Sequence, residues 1–265
     1  MPTDFTNLTV YTDEVHDDPS VALKAIPLLG IRSVCLRQLW GSNAGATSDA
    51  GCQRVMALLK QHDLSVAILA SNCGYVPAEK LQDDFATVKR AVLVAAYFKV
   101  KFIRFFAGLQ TDQQSNITAI DVWMSAVAAA CEPHNITPLL DLDPRSQYIS
   151  PDFVHDRLKI NPTWRFQYDP AVLVINKTQD PSQRYLPLLS SKIAAIDIHD
   201  FETGHGFRPV GHGSCHWPAI VTWLRNVKYD GWFCLEPGLG QRYGSAQTKL
   251  ECASFALSAF KTLLK

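Results

Sequence analysis

Short apolar runs alternate along this chain with longer stretches in which apolar residues recur every three to four positions. The short runs are rich in β-branched and aromatic residues and read as strands; the longer stretches read as helices that bury one stripe. Strands are predicted at Leu8–Thr12, Ser33–Arg37, Ser65–Ala70, Phe102–Ala107, Thr137–Leu142, Arg165–Tyr168, Ile193–Ile198 and Trp232–Leu235. Helices are expected between them, as over Asp83–Phe98 and Ala119–Cys131, with a last one over about Ser245–Leu264. Pro27 should shorten or kink the first helix, because proline supplies no amide donor and crowds the preceding turn.

Eight strand–helix pairs spaced by roughly thirty residues predict an α/β fold of the (β/α)8 TIM-barrel type, a parallel sheet closed by crossover helices. No Pro, Gly or Ser-rich linker divides the chain, so residues 1–265 are expected to form one barrel domain. An open doubly wound sheet is the alternative architecture. It is disfavoured because the first strand–helix turn lacks a GxGxxG fingerprint and no P-loop occurs.

Composition narrows the function classes. Lys plus Arg and Asp plus Glu are 25 each, so no overall field favours nucleic acid or an anionic membrane. The seven cysteines are scattered without a CxxC pair, which predicts a reducing compartment rather than a disulfide framework or zinc knuckle. MPTDFTNLTV does not resemble a secretory leader, and no apolar segment is long enough to span a bilayer. A cytoplasmic protein is expected. Neither nucleic acid nor a membrane is an expected partner; homo-oligomer formation is left open.

Four consecutive strands end in acids. Strand five exits through Asp141 and Asp143, strand six through Asp169, strand seven through Asp197, His199 and Asp200, and strand eight through Glu236. In a closed barrel these ends are neighbours, and inward carboxylates would repel one another unless a cation or a shared proton neutralised them. Strand alternation places Asp197 and His199 on one face, as it does Asp141 and Asp143. A set of oxygen donors with at most one imidazole favours Mn2+ or Mg2+. The same acids can instead cap helices, Asp143 and Asp200 foremost, or pair with Arg145, Arg165, Arg208 or Arg242.

Arg37 in CLRQLWG and Arg104 in FIRFFAG sit in apolar strands, where a guanidinium needs an anionic partner or ligand. With Asp143, His199, His212 and Arg208 they are the candidate substrate-binding residues. His205 and His216 lie in the same loop as His212 and read first as solvated. Trp40, Phe105, Phe106 and Trp217 read as core before they read as sugar-stacking rings.

Together these strand ends resemble the xylose isomerase-like TIM barrel superfamily, which includes sugar isomerases and epimerases, hydroxypyruvate isomerase, inosose dehydratase and endonuclease IV-type repair enzymes. Pro209–Pro237 is similar to that group's loop, helix and eighth strand ending in a metal-binding glutamate, here Glu236. FQYDPA is similar to the strand carrying its metal-binding aspartate, here Asp169. Where the group has a segment like LENHP, this chain has LDLDP, which puts Asp141 in the place of the ligand glutamate and Asp143 in that of the histidine. The group's HVKD-like ending aligns with Asp197–Asp200, so Asp197 stands in the place of the metal-binding histidine and His199 in that of lysine.

The resemblance implies a metal-dependent isomerase or epimerase acting on a small polyhydroxylated carbonyl compound through an enediolate. Asp141, Asp169, Asp197, Glu236 and His199 are the metal candidates, and Glu236 and Asp141 the proton-transfer groups. A dehydratase or lyase acting on a related polyol ketone is an alternative, as is a non-catalytic sugar-binding barrel. An endonuclease IV-like nuclease fits less well, because such sites use several histidines and favour net positive charge.

Overall fold

Leu8–Tyr11 (β1) is buried throughout and pairs in parallel with Ser33–Leu36 (β2) on one side and Trp232–Leu235 (β12) on the other. Ser65–Ala70 (β5), Phe102–Phe105 (β6), Thr137–Leu140 (β7), Arg165–Tyr168 (β8) and Ile193–Ile198 (β9) complete the ring in the order β1-β2-β5-β6-β7-β8-β9-β12. The sheet is a closed parallel barrel, which excludes the open doubly wound alternative. The computed structural model describes residues 7–109, 117–146, 149–178, 180–239 and 248–265. Arg242 and the expected start of the last helix at Ser245 lie outside them.

Strands β5, β8, β9 and β12 match the predicted limits, and the other four are one or two residues shorter. At those four ends the chain leaves the ladder where Thr12, Arg37, Phe106 and Asp141 begin the loops that carry the site. Two hairpins lie outside the predicted elements: Gln38–Leu39 (β3) with Ser42–Asn43 (β4), and Asp200–Glu202 (β10) with Gly206–Arg208 (β11). Their two- and three-residue strands are too short to show an alternation.

The helices show why the chain closes this way. The helix Trp217–Val227 buries Trp217, Ile220, Val221 and Leu224, a stripe at i, i+3, i+4 and i+7 pressed on the barrel wall. Each such side chain is worth about 1.5–3 kcal/mol when removed from water. Pro27 ends the first α-helix, Pro19–Ala25 (α1): the helix stops before it, and residues Ile26–Leu29 continue as a 3-10 turn closed by left-handed Gly30. The final helix is Lys249–Leu263, started by a capping box between Thr248 and Glu251.

Two apolar clusters result. The larger lies between sheet and helices; the smaller fills the lumen with Tyr11, Cys35, Ala67, Ile68, Ala70, Leu139, Ala195 and Cys234. Small side chains in the lumen leave room for polar groups above them. All seven cysteines are free and buried. Among the described residues no helix is long and apolar enough to cross a membrane.

Candidate functional site

Inward positions of the strands stack in layers, and the upper two layers are polar. In the lower one, Tyr11 Oη donates to Asp197 Oδ1 at 3.1 Å, and Gln167 Nε2 donates to Tyr11 Oη at 2.7 Å and to Asp197 Oδ2 at 2.8 Å. Asp197 is 1% exposed. Burial, then the charges of Glu236, Asp169 and Asp141, push its carboxyl well above the usual range.

One layer up, at the carboxyl ends of three adjacent strands, are Asp169, His199 and Glu236. Each offers one ligand atom, and these atoms lie within 4.8 Å of one another. Asp169 follows β8 and has a second task. Its Oδ1 accepts from the amides of Ala171 and Val172 at 2.8 and 3.0 Å, capping the helix Pro170–Ile175. His199 Nε2 lies 2.7 Å from Asp169 Oδ1. Burial works against the imidazolium, but the neighbouring Asp169 outweighs it and lifts the pKa to about 10. The ring stacks on Phe207 of β11, with centroids 5.3 Å apart, and its Nδ1 meets no hydrogen-bond partner among the described residues.

Glu236 faces Arg37. That guanidinium donates to Glu236 Oε1, to Asp13 Oδ2 at 2.9 Å and to Glu14 Oε1 at 2.9 Å, and lies 4.4 Å from the centre of the Tyr11 ring. Burial disfavours its charge, yet Glu236, Asp13 and Glu14 together hold its pKa well above the ordinary value. Arg104 is 5% exposed and makes two long contacts, 3.5 Å to Asp141 Oδ2 and 3.4 Å to Ser71 O, with Nε unpaired among the described residues. Burial raises the Asp141 pKa to about 8, and Arg104 offsets only part of that rise.

The structure therefore brings together part of the expected set. Asp169, Glu236 and His199 meet. Asp141 turns to Arg104 and to the amide of Leu142, and Asp197 lies deeper, so neither is among the three converging donors. Asp143 points to Tyr75 Oη at 2.8 Å and to the amide and Nε of Arg145. It thus organises a turn rather than capping a helix.

Asp200 does the same on a larger scale, accepting from the amides of Phe201, Gly211, Gly213 and Cys215. Arg208 pairs with Glu202 within its hairpin, and Arg165 bonds the carbonyls of Pro162 and Trp164. His205, His212 and His216 are exposed. Phe105, Phe106 and Trp217 are core, and Trp217 Nε1 supports the site by donating to the carbonyl of His199 at 2.8 Å.

Asp13, Glu14 and Phe207 escaped the sequence reading. The first two had a readable signal, since Thr12-Asp13-Glu14 is itself an acidic strand exit after β1. Phe207 had none, because only the hairpin brings it over His199.

The donors fit a divalent ion. Two carboxylates and one imidazole at this separation are a set for Mn2+ or Mg2+, with water or substrate oxygens completing the shell.

A family profile described as xylose isomerase-like TIM barrel matches residues 27–252. A xylose isomerase domain-containing protein from Salmonella typhimurium LT2 superposes with a TM-score of 0.80 at 12% identity, covering 100% of both chains. D-psicose 3-epimerase from Clostridium cellulolyticum H10, solved with D-tagatose, gives 0.74 at 12% identity over 98% of this chain and 99% of the other. A xylose isomerase-like TIM barrel protein from Mycobacterium smegmatis, in complex with magnesium, gives 0.69 at 15% identity over 98% of each. No curated protein sequence matches the chain. At these identities the likeness establishes the fold, and the residues must carry the chemistry.

Proposed function

The chain belongs to the xylose isomerase-like TIM barrel family, and from that membership together with the site we propose that it is a metal-dependent sugar epimerase or isomerase. The observation that carries the reading is the convergence of Asp169, His199 and Glu236 within 4.8 Å at the carboxyl ends of adjacent strands, where barrel enzymes place their chemistry. These three residues would hold the cation. When bound, Mn2+ or Mg2+ would supply Lewis-acid polarisation of a substrate carbonyl and its neighbouring hydroxyl.

The chain's own groups do the rest. Glu236 takes the proton from the carbon between carbonyl and hydroxyl. Asp141, at the end of β7 and three strands from Glu236 in the ring, returns it from the other side, which gives epimerisation; return by Glu236 alone gives aldose–ketose isomerisation. Arg37 and Arg104 supply donors for substrate oxygens.

The test is proton exchange. With Mn2+ and a panel of ketoses in deuterated water, the wild-type protein is expected to place deuterium beside the carbonyl, and Glu236→Gln to lose that exchange by at least about a hundredfold. Exchange retained in the variant would remove Glu236 from the chemistry.

One observation favours a second reading, a sugar-binding barrel without catalysis. The acids at the mouth already face cations of the chain itself: Arg37 faces Glu236, Asp13 and Glu14, Arg104 faces Asp141, and His199 faces Asp169. Calorimetric sugar binding that is indifferent to EDTA, with no exchange, would select it.

A further inference from the structure

Glu236 belongs to two constellations at once. It is one of three donors that converge with Asp169 and His199, and one of three carboxylates gathered around Arg37. The Arg37 side chain is 16% exposed and that of Glu236 18%, so solvent screens this corner weakly. Asp13 keeps one buried carboxylate oxygen, Oδ1, with no hydrogen-bond partner among the described residues. Glu14 accepts from the amide of Gly238 at 3.1 Å, just beyond Glu236, which ties the β1 exit to the β12 exit around the same guanidinium.

A guanidinium and a divalent ion on one carboxylate repel each other. Taking Arg37 away would lift that repulsion and free the charges of Asp13 and Glu14, both within reach of the same corner. The opposing effect is orientation. Arg37 fixes the Glu236 carboxylate, and loss of such a support commonly weakens metal binding about 10–100-fold. Here the lost positive charge and the two released acids act together against one loosened rotamer, so electrostatics should prevail.

We propose that Arg37 is a built-in counter-cation that competes with a divalent metal for Glu236, so that the charge at position 37 sets the metal affinity of the Asp169, His199 and Glu236 donors. This rests on the reading of those donors as a metal site. In that role Arg37 is a positioning residue, acting through Glu236.

The experiment is titration of the purified full chain with Mn2+, followed by calorimetry and by the paramagnetic resonance signal of free Mn2+, for wild type, Arg37→Gln, Arg37→Lys and Asp169→Asn. Arg37→Gln is expected to bind Mn2+ at least about tenfold more tightly than wild type, while Arg37→Lys, which keeps the charge, stays within about threefold. Equal or weaker binding by Arg37→Gln overturns the proposal, as does equal tightening by both variants, which would make shape rather than charge the cause.

Should Arg37→Gln fail to fold, the double variant Asp13→Asn with Glu14→Gln gives the converse test. It leaves Arg37 to Glu236 alone and should bind Mn2+ at least about tenfold more weakly; unchanged affinity overturns the proposal. If wild type and Asp169→Asn bind no Mn2+ but Arg37→Gln does, the counter-cation role stands and the metal-enzyme reading falls. If none of them binds, both fall.

Discussion

His199 Nε2 lies 2.7 Å from Asp169 Oδ1 across the β8–β9 seam, whereas Asp197, two residues earlier on the same face of β9, bonds Tyr11 and Gln167 one layer down. Two residues along a strand correspond to about 6.6 Å of height. That step separates a group able to join Asp169 and Glu236 from one sealed beneath them. Aligning the strand end by sequence alone puts Asp197 in the ligand's place, whereas His199 is the group that converges with Asp169 and Glu236.

A pair of variants separates these assignments. His199→Ala is expected to lower Mn2+ affinity by at least about a hundredfold, since it removes one of three donors. Asp197→Asn should leave affinity within about threefold, because Asp197 lies one layer below the three converging donors and the amide oxygen can still accept from Tyr11 Oη and Gln167 Nε2. Calorimetric titration checks both, and the reverse order of effects would restore Asp197 as the ligand.

Asp200 is the next test, this time of stability. Four backbone amides converge on a carboxylate that is 1% exposed, so Asp200→Ala leaves buried donors unsatisfied and should cost about 2–4 kcal/mol in urea unfolding. Gly213→Ala should act in the same direction, because its added Cβ would press on the Asp200 carboxylate and come within 2.7 Å of Phe201 O. Loss of stability with unchanged Mn2+ affinity is the expected pattern for both.

The pH dependence of the metal-free protein follows from the buried groups. Asp141 has a folded pKa of about 8 against an unfolded value of about 3.9, so between these limits the folded state holds a proton that the unfolded state has released. Stability contributed by that proton is full below about pH 4 and is lost as pH rises through 8. His199, raised to about 10 from an unfolded value of about 6.5, acts in the same direction over its own window. In EDTA the protein should melt at a lower temperature at pH 9 than at pH 6. Asp141→Asn, which mimics the protonated acid, should match wild type only below about pH 4 and exceed it by a growing margin as pH rises to 8. A melting temperature that rises toward pH 9 would contradict the assignment.

The barrel was legible because its signal is long in range and repeated. Apolar runs such as Ser65–Ala70 and Ile193–Ile198 are buried on both faces, and the spacing between them fixes the crossover helices. Glu236 and Asp169 were legible for the same reason, since a strand that ends in an acid places that acid at the mouth. What stayed hidden depends on contacts between distant segments. Nothing in FETGHGFRP announces a hairpin that lays Phe207 on His199, and nothing local tells Asp200 to gather amides up to fifteen residues ahead. Alternation correctly put both Asp197 and His199 inward. It could not say which of the two would be level with Asp169, because the register between β8 and β9 shifts at Phe166/Gln167.

Asp141 offers the last test, because its short side chain and its partner act in the same sense. The carboxylate spends Oδ1 on the amide of Leu142 at 2.8 Å and sets Oδ2 3.5 Å from Arg104, so it stays outside the three converging donors. Asp141→Glu would extend it by one methylene, about 1.5 Å, toward the neighbouring Asp169 at the end of β8. A fourth donor, an oxygen, should then raise Mn2+ affinity by about tenfold, and calorimetry would read the change directly. The longer side chain also moves the carboxyl off Arg104, whose other hydrogen-bonding contact among the described residues is the carbonyl of Ser71 at 3.4 Å, so metal-free Asp141→Glu should unfold more easily by about 1–3 kcal/mol. Tighter metal binding together with a weaker metal-free fold would mark Asp141 as a ligand position given over to charge balance. Unchanged affinity would mean that Arg104 alone explains an acid at this strand end.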